Sequence, residues 1–160
     1  MNIQEKSKIE YRSRINRVMD YIDMHLGQPL ELKGIAEIAN FSPFHFHRIF
    51  TFLIGETPID YIQRLRVEKA AWKLQNEPSL PVTEIAYSCG FGSISLFSRT
   101  FKKYFGITPT QFGKEEKPIY AHHGMLFSKN GQMLRKNLTS KTDYDSDLCE
   151  VEPVSYTHLR

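Results

Sequence analysis

Cysteine is almost missing from the chain. Cys89 and Cys149 stand alone, with no CxxC pair, so neither a disulfide framework nor a thiolate metal knuckle is available. A reducing, cytoplasmic setting is the expectation. Long hydrophobic runs are also missing, and none approaches the roughly 18 residues needed to span a bilayer. The opening MNIQEKSKIEYRSR carries charges but no apolar core of a secretory signal. No membrane partner is expected. The sequence offers no paired carboxylates, no nucleophile–base set and no metal cluster, which argues against an enzyme and against any cofactor. CGFGS (89–93) has a glycine-rich look, but no Gly-Lys-Ser/Thr follows it, as a phosphate loop requires. TEIAYS before it reads as helix, whereas a dinucleotide fingerprint needs a strand there. His45 and His47 lie two apart and cannot share a helix face, and His122-His123 has no acidic or thiol ligand nearby, so no metal is expected.

What is present is helical periodicity and aromatic residues. Eleven Phe and eight Tyr occur in 160 residues. Residues 9–112 read as almost continuous helix broken by Gly and Pro. Ile9, Ile15, Val18, Met19, Ile22 and Leu26 form the first apolar stripe, which stops at Gly27 and Pro29. The formal net charge is +3, and all of that excess falls in residues 1–112.

An internal repeat organises this region. Leu30, Ile35, Ala36 and Phe41 recur 50 positions later as Leu80, Ile85, Ala86 and Phe91. Ser42, Phe46, Arg48, Phe50, Gly55, Thr57 and Pro58 recur 51 positions later as Ser93, Phe97, Arg99, Phe101, Gly106, Thr108 and Pro109. Gly92 is the single inserted residue. Two copies suggest one supersecondary unit used twice, not a solenoid.

Each copy holds a short helix, a tight turn and a second helix with Ser at its N-cap, the layout of a helix-turn-helix. The second helix of such a unit enters the major groove of DNA. In the first copy Phe46, Phe50 and Leu53 are expected to face the core, with Phe44, His47, Arg48 and Thr51 on another face. In the second, Phe97, Phe101 and Tyr104 are the expected core stripe. Ile94, Ser95, Ser98, Arg99 and Lys102 are expected outward. Gly90 to Gly106 contains Arg99, Lys102 and Lys103 but no acidic residue, which suits a phosphate backbone. Cys89 occupies the place of Ala39, so a small buried side chain is expected. In the intervening helix, Ile62, Leu65 and the Ala70/Trp72/Leu74 group can pack on both units. Arg64, Arg66, Lys69 and Lys73 are left for solvent, DNA or ion pairs. Such a connector would let one chain read two successive major-groove segments, about 34 Å apart.

RLRVEKAAWKL followed by EIAYSCGFGSISLFSRTFKKYFGITPTQF resembles the DNA-binding domain of the AraC/XylS family of bacterial transcription regulators. The likeness covers residues 9–112. It implies an all-α, homeodomain-like fold of about seven helices, with two helix-turn-helix subdomains joined by a long connector helix. It also implies a regulator, usually an activator, on double-stranded promoter DNA. By position, the family's base-reading sites fall on Phe44, His47 and Arg48, and on Ile94, Ser95 and Arg99. The full expected DNA-binding set adds Thr51, Ser93, Lys102 and Lys103. Ile94 can touch only a thymine methyl or a sugar, so the second unit is expected to read fewer bases and lean more on the backbone. RNA polymerase is a further partner open to an activator. The competing reading is a helical protein-interaction module without specific DNA binding, anchored by Phe44 and Ile94. Residues 113–160 carry equal numbers of acidic and basic side chains and no sustained period. They are expected to be a linker and the first fragment of a truncated C-terminal domain. A small-molecule effector would act only through that domain in complete form.

Overall fold

The computed structural model describes residues 3–114, which form helices and turns without a strand. The expected C-terminal fragment lies outside the described residues beyond Lys114. In chain order the helices are α1 (Ile3–Met24), α2 (Leu32–Ile38), α3 (Pro43–Ile54), α4 (Pro58–Asn76), α5 (Val82–Ser88), α6 (Ile94–Phe105) and α7 (Pro109–Phe112). No helix among the described residues is long and apolar enough to cross a membrane.

The helix starts follow from short polar side chains. Ser42 accepts a hydrogen bond from His45 N at 3.1 Å, and Ser93 accepts one from Leu96 N at 3.2 Å. Thr57 and Thr108 do the same for Asp60 N and Gln111 N. Gln111 completes a capping box by accepting from Thr108 N at 3.0 Å. Each such cap stabilises its helix by about 1 kcal/mol. Because the caps recur 51 positions apart, α7 is the second copy's counterpart of the first turn of α4. The ends recur too: Gly55 and Gly106 close α3 and α6 in the left-handed conformation.

Two cores result. The first gathers Ile15, Val18, Met19 and Ile22 of α1, Ile35 and Ala36 of α2, Phe46, Ile49, Phe50 and Ile54 of α3, and Tyr61, Ile62 and Leu65 of α4. The second takes Val67, Ala70, Ala71 and Leu74 from the other half of α4 and adds residues of α5, α6 and α7. The same aromatic chain runs through both. Phe46, Phe50 and Tyr61 follow at ring separations of 5.5 and 5.3 Å, and Phe97, Phe101 and Phe112 at 5.6 and 5.3 Å. A buried Phe contributes about 1.5–3 kcal/mol through removal of apolar surface from water.

The structure corrects two expectations, those for Ile9 and Trp72, and refines others. Ile54 and Phe105 are buried more deeply than Leu53 and Tyr104 and extend the core stripes of α3 and α6. Leu53 and Tyr104 lie on the same stripes, since i+7 falls about 20° from i, and they pack half-buried against the two cores. Ile9 is 56% exposed and does not join the first core. Trp72 is 57% exposed, on the side of α4 opposite the second core. Of the three roles left open for Arg64 the structure shows ion pairing: it is buried, and its guanidinium bonds Glu56 at 2.7 Å and Glu68 at 2.9 Å. Burial alone disfavours its charge, but the Glu56 hydrogen bonds and the Glu68 charge outweigh that and hold it firmly protonated.

Candidate nucleic-acid interface

The repeat places α3 and α6 in equivalent positions, each following a three- or four-residue turn. Both turns need a left-handed residue. Asn40 supplies it in the first at φ 54°, and Gly90 in the second at φ 91°. Asn adopts this conformation more readily than other residues with a side chain, because its short amide bonds locally.

On α3 the outward face is built from Phe44, Arg48, His47 and Thr51. Phe44 is 67% exposed, and the exposed Arg48 lays its guanidinium 5.8 Å from the Phe44 ring centre. That contact holds a planar, five-donor group at the surface beside an aromatic face, an arrangement suited to a guanine edge and a neighbouring thymine methyl. His47 is half-buried at the margin of the same face. Thr51 is also half-buried, and its hydroxyl donates to the His47 carbonyl at 2.7 Å. Its remaining capacity is as an acceptor, which a phosphate cannot use unless that bond breaks.

On α6, Ser95, Arg99, Lys102 and Lys103 are all exposed. Arg99 stands at the position of Arg48, and Ser95 at that of Phe44. Lys103 lies 3.5 Å from the Asp60 carboxylate, with both side chains largely exposed. Such a pair is worth about 0–1 kcal/mol, so a phosphate can compete for the ammonium. Ser93 uses an oxygen lone pair on Leu96 N and retains its proton for a phosphate. Ile94 departs from the expected outward position: it is half-buried and packs against the second core. It lies three residues before Phe97 and seven before Phe101, on the core side of α6, whereas its counterpart Pro43 is exposed. Leu96, 39% exposed, is instead the apolar side chain at this surface. Its counterpart in the first copy is the buried His45.

His45 fills a pocket of rings. Phe41 lies 5.0 Å from it and Tyr11 6.0 Å, both edge-on. Burial lowers its pKa, and the neighbouring Arg48 charge lowers it further, so the imidazole is neutral at neutral pH. Among the described residues no group of three or more His, Cys, Asp or Glu side chains could hold a metal ion. His122 and His123 lie outside them. Cys89 is buried, as its place in the repeat implies, and burial pushes its thiol up, away from reactivity.

Two arginines brace the turns: Arg14, and Arg66, which was expected to meet solvent, DNA or an ion pair and instead bonds backbone carbonyls. Arg14 of α1 lies over the Phe41 ring at 5.2 Å, is paired with Glu10, and donates to the Ala39 and Asn40 carbonyls at 3.4 and 3.5 Å. Arg66 of α4 reaches the Leu26 and Gln28 carbonyls at 2.9 and 2.8 Å.

A family model described as a helix-turn-helix domain matches residues 35–115. The chain is 33% identical, over 69% of its length, to a bifunctional transcriptional activator/DNA repair enzyme, AdaA, of Bacillus subtilis, and covers 52% of that protein. It covers 40% and 43% of two further regulators, so it spans about half or less of these relatives. Among solved structures it resembles the C-terminal domain of AraT, a response regulator of Geobacillus stearothermophilus. The TM-score is 0.61 at 32% identity, over 72% of this chain and 96% of that one. It also resembles the DNA-binding domain of AdpA, a global transcriptional factor, solved with a target DNA. There the TM-score is 0.58 at 27% identity, over 60% of this chain and 86% of that one.

Proposed function

The chain belongs to the AraC/XylS family of helix-turn-helix DNA-binding transcription regulators, and on that premise we propose that it is a sequence-specific activator. It would lay α3 and α6 in successive major-groove segments of a promoter, within the cytoplasm and without catalysis of its own. The observation that carries this reading is the matched pair Arg48 and Arg99, exposed at the same position of two capped recognition helices. Phe44, His47 and Arg48 read bases in the first lobe, and Ser95 and Arg99 in the second. Ser93, Lys102 and Lys103 hold phosphates. Ile94 buttresses the start of α6 and Thr51 lines the groove. RNA polymerase contact, and an effector acting through a complete C-terminal domain, belong to the same reading.

Selection of bound duplexes from a random pool, followed by gel shifts at graded salt, tests it. Arg48→Ala and Arg99→Ala should each weaken specific binding by about 1–3 kcal/mol and relax preference at one base position. Wild-type protein with no more affinity for duplex than a neutral control protein would overturn the proposal in favour of a protein-interaction module.

A further inference from the structure

The two lobes come close beside the turn that launches α6. Leu26, Gly27 and Gln28 follow α1 and belong to the first lobe. Ser88 and Gly90 flank the turn of the second. A methyl group on Gly90 would stand 2.2 Å from the Leu26 carbonyl oxygen, and one on Gly27 would stand 2.9 Å from the Ser88 carbonyl oxygen. Each segment thus carries a glycine where the other presents a carbonyl. Arg66, projecting from the shared helix α4, closes the junction. Its Nε donates to the Leu26 carbonyl at 2.9 Å and its Nη2 to the Gln28 carbonyl at 2.8 Å. A methyl on Gly90 would also lie 2.8 Å from Nε and 2.9 Å from Cζ, so the guanidinium lies against the turn itself. The far end of α6 is tied to the start of α4, where the Tyr104 hydroxyl donates to the Asp60 carbonyl at 3.2 Å. Burial and the Asp60 charge push that phenol up to about 12, so it stays a donor.

We propose that Arg66 is a positioning residue for DNA recognition: by clamping the Leu26–Gln28 segment against the Gly90 turn it fixes the relative placement of α3 and α6, and so makes the chain discriminate half-site spacing as well as base sequence. This rests on the proposed function. The physical reason is scale. One added base pair displaces a half-site by about 3.4 Å along the axis and rotates it by about a tenth of a turn. A junction with carbonyl oxygens seated on glycine Cα atoms has no room for that displacement. A helix connector alone would bend and twist into neighbouring registers. The clamp removes that freedom without touching DNA.

The test uses the full chain and duplexes carrying the selected site with its two halves at native spacing, or moved by one or two base pairs. Wild-type protein should lose about tenfold or more in affinity for each single-base-pair change. Arg66→Met, which keeps the apolar stem but removes both donors, should cut that penalty to about threefold or less. Its affinity for an isolated half-site should be unchanged. Arg66→Lys, which retains one donor, should fall between the two. A second readout needs no DNA: spin labels at Glu37→Cys and Glu84→Cys, with Cys149→Ser, report the separation of α2 and α5. The wild-type distribution should be narrow and that of Arg66→Met broad. Retention of the full spacing penalty and a narrow distribution in both variants overturns the proposal. So does a uniform loss at every spacing, which is the mark of a merely structural residue. Wild-type protein that binds no duplex defeats the functional reading and the spacing role with it, while the label distances still report whether Arg66 clamps the lobes.

Discussion

Asn40 and Gly90 do the same job in two copies of one motif, yet only one of them could be exchanged for the other. Both sit at positive φ. Asn40 is exposed and has space for its amide, whereas Gly90 has the Leu26 carbonyl and the Arg66 guanidinium pressed on it. The bracing arginines differ in the same way. Arg14 supports the turn of its own lobe, and Arg66 sends its hydrogen bonds to the other. A duplicated unit therefore keeps its fold by repeating local interactions, namely the caps, the turn and the aromatic chain. It becomes one reader by making the two copies unequal where they meet.

The largest test of that difference is a matched pair of substitutions. Gly90→Ala should destabilise the protein by about 2–5 kcal/mol, from the left-handed backbone and from overpacking against Leu26. Asn40→Ala should cost only about 1–2 kcal/mol, from the backbone alone. Urea unfolding measures both, and equal losses would erase the asymmetry. A smaller contrast is electrostatic. Lys102 occupies the position of Thr51, whose hydroxyl is spent on its own helix. Lys102→Ala should lower the slope of log affinity against log salt by about 0.9, while Thr51→Ala leaves it unchanged. Salt titrations of the selected duplex decide this, and equal slopes for Lys102→Ala and wild type would remove Lys102 from the backbone contacts.

The smallest contrast is in pH. His45 is buried where the second lobe has Leu96. Its folded pKa lies below the ordinary value of 6.5, so the unfolded chain takes up the proton first as pH falls. Its contribution to stability is present above about 6.5 and declines as the pH drops toward the lowered folded value. His45→Leu should flatten the fall in urea midpoint between about pH 7 and 5.5, leaving the carboxylate contribution at lower pH. A midpoint that falls as steeply as in wild type would show that His45 does not titrate with unfolding.

Much of the fold was legible because it rests on local chemistry. Ser42, Ser93, Thr57 and Thr108 announce helix starts in any context, and the shift from 50 to 51 in the repeat isolates Gly92 as the inserted residue. Arg48 and Arg99 were legible as a pair because the repeat puts both at one outward position. Ile94 was misread although the helical period puts it seven residues before Phe101 and three before Phe97, beside the core stripe of α6. Arg66 was not legible at all. Its partners are backbone carbonyls some 40 residues earlier, and a contact with a peptide oxygen leaves no trace in residue types or period. Leu96 is more exposed than its counterpart His45, which packs against Tyr11, a side chain of α1 that the repeat does not include.

The shared helix α4 has a consequence for how the protein comes apart. Tyr61 to Leu65 belong to one core and Val67 to Leu74 to the other. An isolated helix shorter than about 12–15 residues is barely stable in water, and each half of α4 is shorter than that. If either lobe melts, its half of α4 loses the packing that kept it helical, and the frayed end reaches the other lobe's last buried turn within a residue or two. The two lobes should therefore open as one cooperative unit, and native-state hydrogen exchange along α4 should report a single opening free energy from end to end.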